Sequence, residues 1–155
     1  MKNAFIIYIL SASLALPAQA ASLVAEEHAS AQCALASRTP AWRLIEDASS
    51  WRALSAEGPV PAFAAEPDWP HQAVLVFTNG ARPSAGYSLA LKTALLHTRT
   101  LILEIAEQAP PAGAMTAQVM TQPCLFLTLR KQAWIQLQLR TADTHARIGT
   151  IHRQP

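Results

Sequence analysis

The chain has 155 residues, 51% of them hydrophobic and 14% charged, with 12 Lys and Arg against 10 Asp and Glu for a formal net charge of +2. That length fits one domain, and so small a charge steers no polyanion. The nine arginines are scattered from Arg38 to Arg153 without a cluster, which leaves no nucleic-acid footprint.

The N-terminus opens with Lys2, an apolar run over residues 4–16, and then Pro17-Ala18-Gln19-Ala20 before Ala21. This is the pattern of a signal peptide, with Ala18 and Ala20 small enough for a signal-peptidase site and cleavage expected between Ala20 and Ala21. The run is shorter than the roughly 20 apolar residues of a bilayer span, and no later segment approaches it. The expected product is periplasmic or secreted, with no membrane insertion after cleavage. No cysteine directly follows the apolar run, so a lipoprotein is not expected. Without Lys2, eleven basic residues face ten acidic ones. Residues 1–20 are read as the signal peptide, residues 21–41 as an N-terminal arm, and residues 42–155 as a single β-rich domain.

Two cysteines remain, Cys33 and Cys124. An oxidising compartment favours pairing them, and the bridge would pin the arm to the domain. Closing so long a loop stabilises by about 4–5 kcal/mol in the chain-entropy description.

Residues 22–36 are alanine-rich with few large apolar side chains, a composition that predicts a short helix or a loose arm held by Cys33. Residues 42–45 read as a short strand. Asp47-Ala48-Ser49-Ser50 offers side chains that accept from the free N–H groups opening a helix, which would turn Trp51 and Leu54 to the core and stop near Gly58-Pro59. Residues 58–70 hold four prolines and form an extended connector.

Beyond the connector the pattern changes to strands. Residues 73–77 are apolar on both alternating faces, as a central strand between two layers would be. Residues 87–91 and 101–105 are expected to pair as an antiparallel hairpin across the polar link around His97-Thr98-Arg99-Thr100. A Pro- and Gly-rich loop at residues 110–114 leads through an extended stretch to Thr121-Gln122-Pro123 and a strand at residues 124–129. Residues 134–140 then alternate, with Ile135, Leu137 and Leu139 inward, and residues 147–152 make a final strand. The predicted fold is mainly β, an antiparallel sandwich or open barrel, with one or two short N-terminal helices.

The chemistry-bearing residues do not assemble into a recognisable active site. His28, His71, His97, His145 and His152 have no helical ligand spacing, so no metal site is expected, and His28 with Cys33 is better read as a surface histidine beside a disulfide. Ser84 and Ser88 flank Gly86 without a G-x-S-x-G elbow, and Ser84 fits a turn residue in Arg82-Pro83-Ser84-Ala85-Gly86. Glu26 with Glu27, and Glu104 with Glu107, fit solvated faces. The five glycines form no phosphate-cradling loop. No catalytic residue, cofactor or enzyme activity is expected.

The segment that stands out is the polar, turn-prone loop at residues 78–88. Its structural reading is a tight connection. Its functional reading is a rigid protein-binding loop built from Asn79, Gly80, Arg82, Pro83, Ser84, Gly86 and Tyr87. An apolar strand followed by Gly80, Arg82, Ser84 and Gly86-Tyr87 resembles the C-terminal domain of the PrcB protease-complex subunit family, whose loop reads like Gly-x-(Arg/Lys)-x-Thr-Gly-Gly-Tyr. Ala85 replaces the first of the paired glycines. The strand at residues 101–107, then Pro110-Pro111 with Gly113, and Thr121-Gln122-Pro123 extend the likeness, which spans roughly residues 42–129.

The resemblance implies an exported accessory protein without catalysis of its own, whose partner is another exported protein such as a protease. Two alternatives stand beside it. The loop Arg82-Pro83-Ser84-Ala85-Gly86-Tyr87 also resembles the Asn-Pro-Thr-Thr-Gly-Tyr-type loop of chagasin-like cysteine-protease inhibitors, although it lacks the Asn and no Arg-Pro-Trp loop is present. A hydrolase would have to depend on Ser84 or His97.

Overall fold

The computed structural model describes residues 23–153, so the expected leader at residues 1–20 lies outside the described chain. Within it run β1 (Val24–Ser30), β2 (Ala41–Ile45), α1 (Ala48–Glu57), β3 (Gln72–Thr78), β4 (Ser88–His97), β5 (Thr100–Gln108), β6 (Cys124–Arg130), β7 (Gln136–Thr141) and β8 (Arg147–His152). A single 3-10 turn, Lys131–Ala133, separates β6 from β7.

The strands form two four-stranded sheets, ordered β1-β6-β3-β2 and β4-β5-β7-β8. The expected mainly β architecture is therefore a two-sheet sandwich, antiparallel at every pairing except β5 with β7. That parallel pair has a simple origin. Between β5 and β7 the chain returns through β6, which belongs to the opposite sheet, so β7 sets out in the same direction as β5.

Period-2 alternation fills the space between the sheets. Leu75, Phe77, Leu125, Leu127 and Leu129 of the first sheet meet Leu101, Leu103, Ile105, Leu137 and Leu139 of the second. The other face of the first sheet is also covered. Val74, Val76 and Phe126 pack under Leu54 of α1, together with Ile45 and Leu35. This is why β3 and β6 are apolar on both faces. Burying Leu54 on that face contributes about 2 kcal/mol. Helix α1 begins where the Asp47 carboxylate accepts from the Ser50 amide at 2.8 Å, and ends where the Gly58 amide reaches Leu54 O at 3.3 Å. Trp51 stands edge-on to Phe126 at 6.3 Å and beside Phe63 at 5.1 Å, so the connector closes over the helix.

The two sheets are tied at both margins. On one side the Leu91 amide of β4 donates to Glu27 of β1 at 2.8 Å. On the other, Trp42 of β2 lies so close over Gly149 of β8 that any Cβ there would enter the indole.

Three expectations are corrected. Residues 24–30 form neither a helix nor a loose arm but strand β1, hydrogen-bonded along β6 from Val24 opposite Leu129 to Ser30 opposite Cys124. Helix propensity loses there to the free edge of β6, which offers a full ladder of backbone partners. Strand β4 continues past Leu91 to His97. A bulge between Leu91 and Thr93 shifts the phase, so that Leu89 and Leu91, then Ala94 and Leu96, face the core while Leu95 is exposed. Ile135 faces solvent instead of the core, because the 3-10 turn places Trp134 inward, with its indole N–H donating to Arg130 O at 2.7 Å.

Candidate functional site

Strand directions bring four connecting segments to one end of the sandwich, at residues 31–40, 79–87, 109–123 and 142–146. The three loops that the sequence singled out, around residues 80–87, 110–114 and 121–123, thus share this end.

They are joined by direct bonds. The Arg82 amide donates to Thr121 O at 2.7 Å and the Thr121 amide to Arg82 O at 3.0 Å, while the Ala85 amide donates to Ala117 O at 3.0 Å. The Thr121 hydroxyl donates to Ser84 O at 2.9 Å. Gly86 adopts φ +95°, and a Cβ on it would press on Pro110 Cβ at 3.0 Å, so glycine lets the two loops close.

The base of the end is equally well fixed. Cys33 and Cys124 are disulfide-bonded with their Cα atoms 5.1 Å apart, which fastens residues 31–36 to the start of β6. The Gln122 amide donates to Ala31 O at 3.0 Å, and its side-chain amide to Leu35 O. Thr78 Oγ1 donates to Pro123 O at 2.8 Å and accepts from the Gly80 amide at 3.1 Å. Gly80 has φ +90° and backs onto Arg38 and Thr39, whose main chain would lie 2.5–3.0 Å from any Cβ.

The predicted loop residues divide into two groups. Asn79, Arg82 and Tyr87 turn inward. Arg82 donates from Nε to both oxygens of Glu107 at 3.1 Å and from Nη2 to Oε2 at 2.6 Å. Asn79 Nδ2 joins at 3.1 Å, and the Tyr87 ring lies 5.8 Å from the guanidinium carbon. Ser84 is buried, whereas Pro83 and Gly86 are exposed. The guanidinium is committed within the chain, and the surface belongs to other residues.

That surface presents three large apolar side chains. Met115 is fully exposed, and Val119 and Met120 are exposed by more than half. No charged residue occurs between Gln108 and Arg130. Sequence reasoning missed this surface because it read residues 115–120 only as an extended stretch. It also read Glu107 as solvated, although centring the hairpin on Thr98-Arg99 sets Glu107 opposite Leu89, beside the loop.

Other candidates are not brought together. Ser84 Oγ donates only to Ala85 O, at 3.3 Å. His97 sits at the far end of β4, about 30 Å from the loop end by strand rise. His28, His71 and His145 bond to Glu26, Asp68 and Glu104. The bond from His145 holds the Glu104 carboxyl below its usual range, as the bond from His28 does for Glu26. Among the described residues no three His, Cys, Asp or Glu side chains cluster to hold a metal. Nor is any described helix long and apolar enough to cross a membrane.

No curated protein and no solved structure matched the chain. A family model does match, over residues 73–130, which run from β3 through the bonded loops to the end of β6 and overlap the resemblance read from sequence over residues 42–129, leaving out its upstream flank. That model is of the PrcB C-terminal domain, to which residues 73–130 are similar.

Proposed function

We propose that this protein is an exported, non-catalytic binding protein, a subunit or regulator of an envelope or secreted protein complex such as a protease complex. The observation that carries the reading is the loop end itself: a disulfide-fastened, internally hydrogen-bonded platform presenting Met115, Val119 and Met120 from a segment without a charged residue. Apolar patches held on rigid loops are a common form of protein interface, and methionine suits such surfaces because it adapts its shape. The PrcB C-terminal match supports the accessory role, and the disulfide accords with an oxidising compartment.

Arg82 and Tyr87 are poor probes of this function, because substituting them disturbs the loop's own packing. The suitable variant is Met115→Asp with Val119→Asp and Met120→Asp, on side chains that are each more than half exposed. Affinity capture from an extract of the source cells, comparing wild type with this variant at equal thermal stability, tests the proposal. A specific protein retained by wild type and lost from the variant is expected. Retention indifferent to the three substitutions would contradict it.

A further inference from the structure

A cavity of about 290 Å³ opens between the two sheets at the loop end. Its inner wall is made by the buried side chains of Phe77, Leu89 and Ile105, with Ile148 from β8. Its outer wall is polar, with Asn79, Glu107, Thr141 and Asp143, and none of the lining residues is basic. The volume lies just below the roughly 300–1,000 Å³ range of ligand pockets, so it suits a body of side-chain size.

The charges at the mouth set the kind of ligand. Glu107 is ion-paired with Arg82, which offsets its charge from behind. Asp143 has no ion-pair partner among the described residues. Its carboxylate accepts from the Thr144 amide at 2.7 Å, a bond that holds its pKa below the ordinary value, so the charge persists in mildly acidic solution. Two arginines stand near it on the same sheet, Arg140, which bonds to the neutral Gln138, and Arg147 opposite Arg140 on β8, but neither lines the recess, and His145 is turned to Glu104. An apolar recess whose lining holds an unpaired carboxylate and no basic group complements a molecule that is apolar at one end and cationic at the other.

We infer that this cavity binds a primary ammonium carried on a compact apolar body, with the body against Phe77, Leu89 and Ile105 and the ammonium between Asp143 and Glu107. A free aliphatic amine has this chemistry, and so does a chain N-terminus whose first residue is apolar. The inference does not depend on the loop end binding a protein.

The test is a titration of the ¹⁵N-labelled protein, followed by amide shifts, with four probes: isoamylamine, isoamyl alcohol, Leu-Ala-Ala-amide and its N-acetyl form. The amine, the free peptide, or both should saturably shift the amides of Asn79, Ala106, Asp143 and Ile148 below about 20 mM. Binding of the peptide alone assigns the site to chain N-termini, and binding of the amine identifies a small-molecule site. Asp143→Asn should weaken binding about fivefold, as loss of one exposed charge contact does. Ile148→Trp, which fills the recess, should abolish it. Because Asp143 is exposed on a turn, its variant remains informative even if Ile148→Trp misfolds. Equal binding of the alcohol or the acetylated peptide, indifference to Asp143→Asn, or no saturable shift with any probe would overturn the assignment.

Discussion

Arg82 and Glu107 are joined by a forked ion pair, from Nε to both carboxylate oxygens and from Nη2 to Oε2 at 2.6 Å, with each side chain about one-fifth exposed. The pair ties the loop after β3 to the end of β5. A forked geometry in partial burial is worth more than an open surface pair. Arg82→Ala is expected to cost about 1–2 kcal/mol in chemical denaturation, with coupling to Glu107→Ala of at least about 1 kcal/mol in a double-mutant cycle. Additive single effects would show that the two side chains act independently.

Gly80 has a steric reason as well as a conformational one. At φ +90° an L side chain is strained, and its Cβ would stand 2.5 Å from Arg38 O. Gly80→Ala should destabilise by about 2–4 kcal/mol, combining backbone strain with overpacking against main chain. The same substitution at Gly113, also at positive φ but with nothing within 4 Å, should cost visibly less. Equal costs would mean that contact with residues 38–39 is unimportant.

The disulfide spans 91 residues of sequence, so reduction releases a long loop in the unfolded chain. The expected loss is about 4–5 kcal/mol, or roughly 10–20 °C in Tm for a domain of this size. Calorimetry with and without reductant measures it. A shift under about 3 °C would show that β1 and residues 31–36 are held by their backbone bonds without help from the bridge.

The N-cap of α1 makes the fold acid-sensitive. Hydrogen bonds from Ser49 and Ser50 lower the Asp47 pKa from 3.8 to about 2. A carboxyl with a depressed folded-state pKa contributes stability that is complete above its unfolded value and is lost as pH falls through the folded one. The loss attributable to Asp47 therefore runs from about pH 4 down to about pH 2. Asp47→Ser keeps a capping oxygen but removes the titration, so denaturation midpoints should fall less between pH 6 and pH 2.5 in the variant than in wild type. An identical fall would place the acid sensitivity elsewhere.

Strands with uninterrupted apolar alternation were legible from sequence alone. Residues 73–77, 101–105 and 124–129 lie in β3, β5 and β6, and Asp47 caps the helix where its spacing predicts. What escaped sequence reading depended on partners distant in the chain. Val24–Ser30 is poor in strand formers and becomes a strand because β6 has an open edge. The second half of β4 was hidden by the bulge at Lys92, which reverses the pattern midway. At the loop end, the residues with the most suggestive chemistry, Arg82 and Tyr87, hold the loop together, and the exposed surface comes from Met115, Val119 and Met120, which carry no motif. An arginine in a loop looks the same in sequence whether it faces a partner or a carboxylate on the next strand.

On the proposed function a partner protein docks on the loop end that presents Met115, Val119 and Met120. Site-specific photo-cross-linking in the source cells tests it most directly, with a photoreactive residue at Met120 and, as a control, at exposed Arg99 in the hairpin turn at the opposite end of the sandwich. One discrete adduct is expected from position 120, of the same mass as the protein captured by affinity, and none from position 99. Adducts from both positions alike, or from position 99 alone, would contradict it.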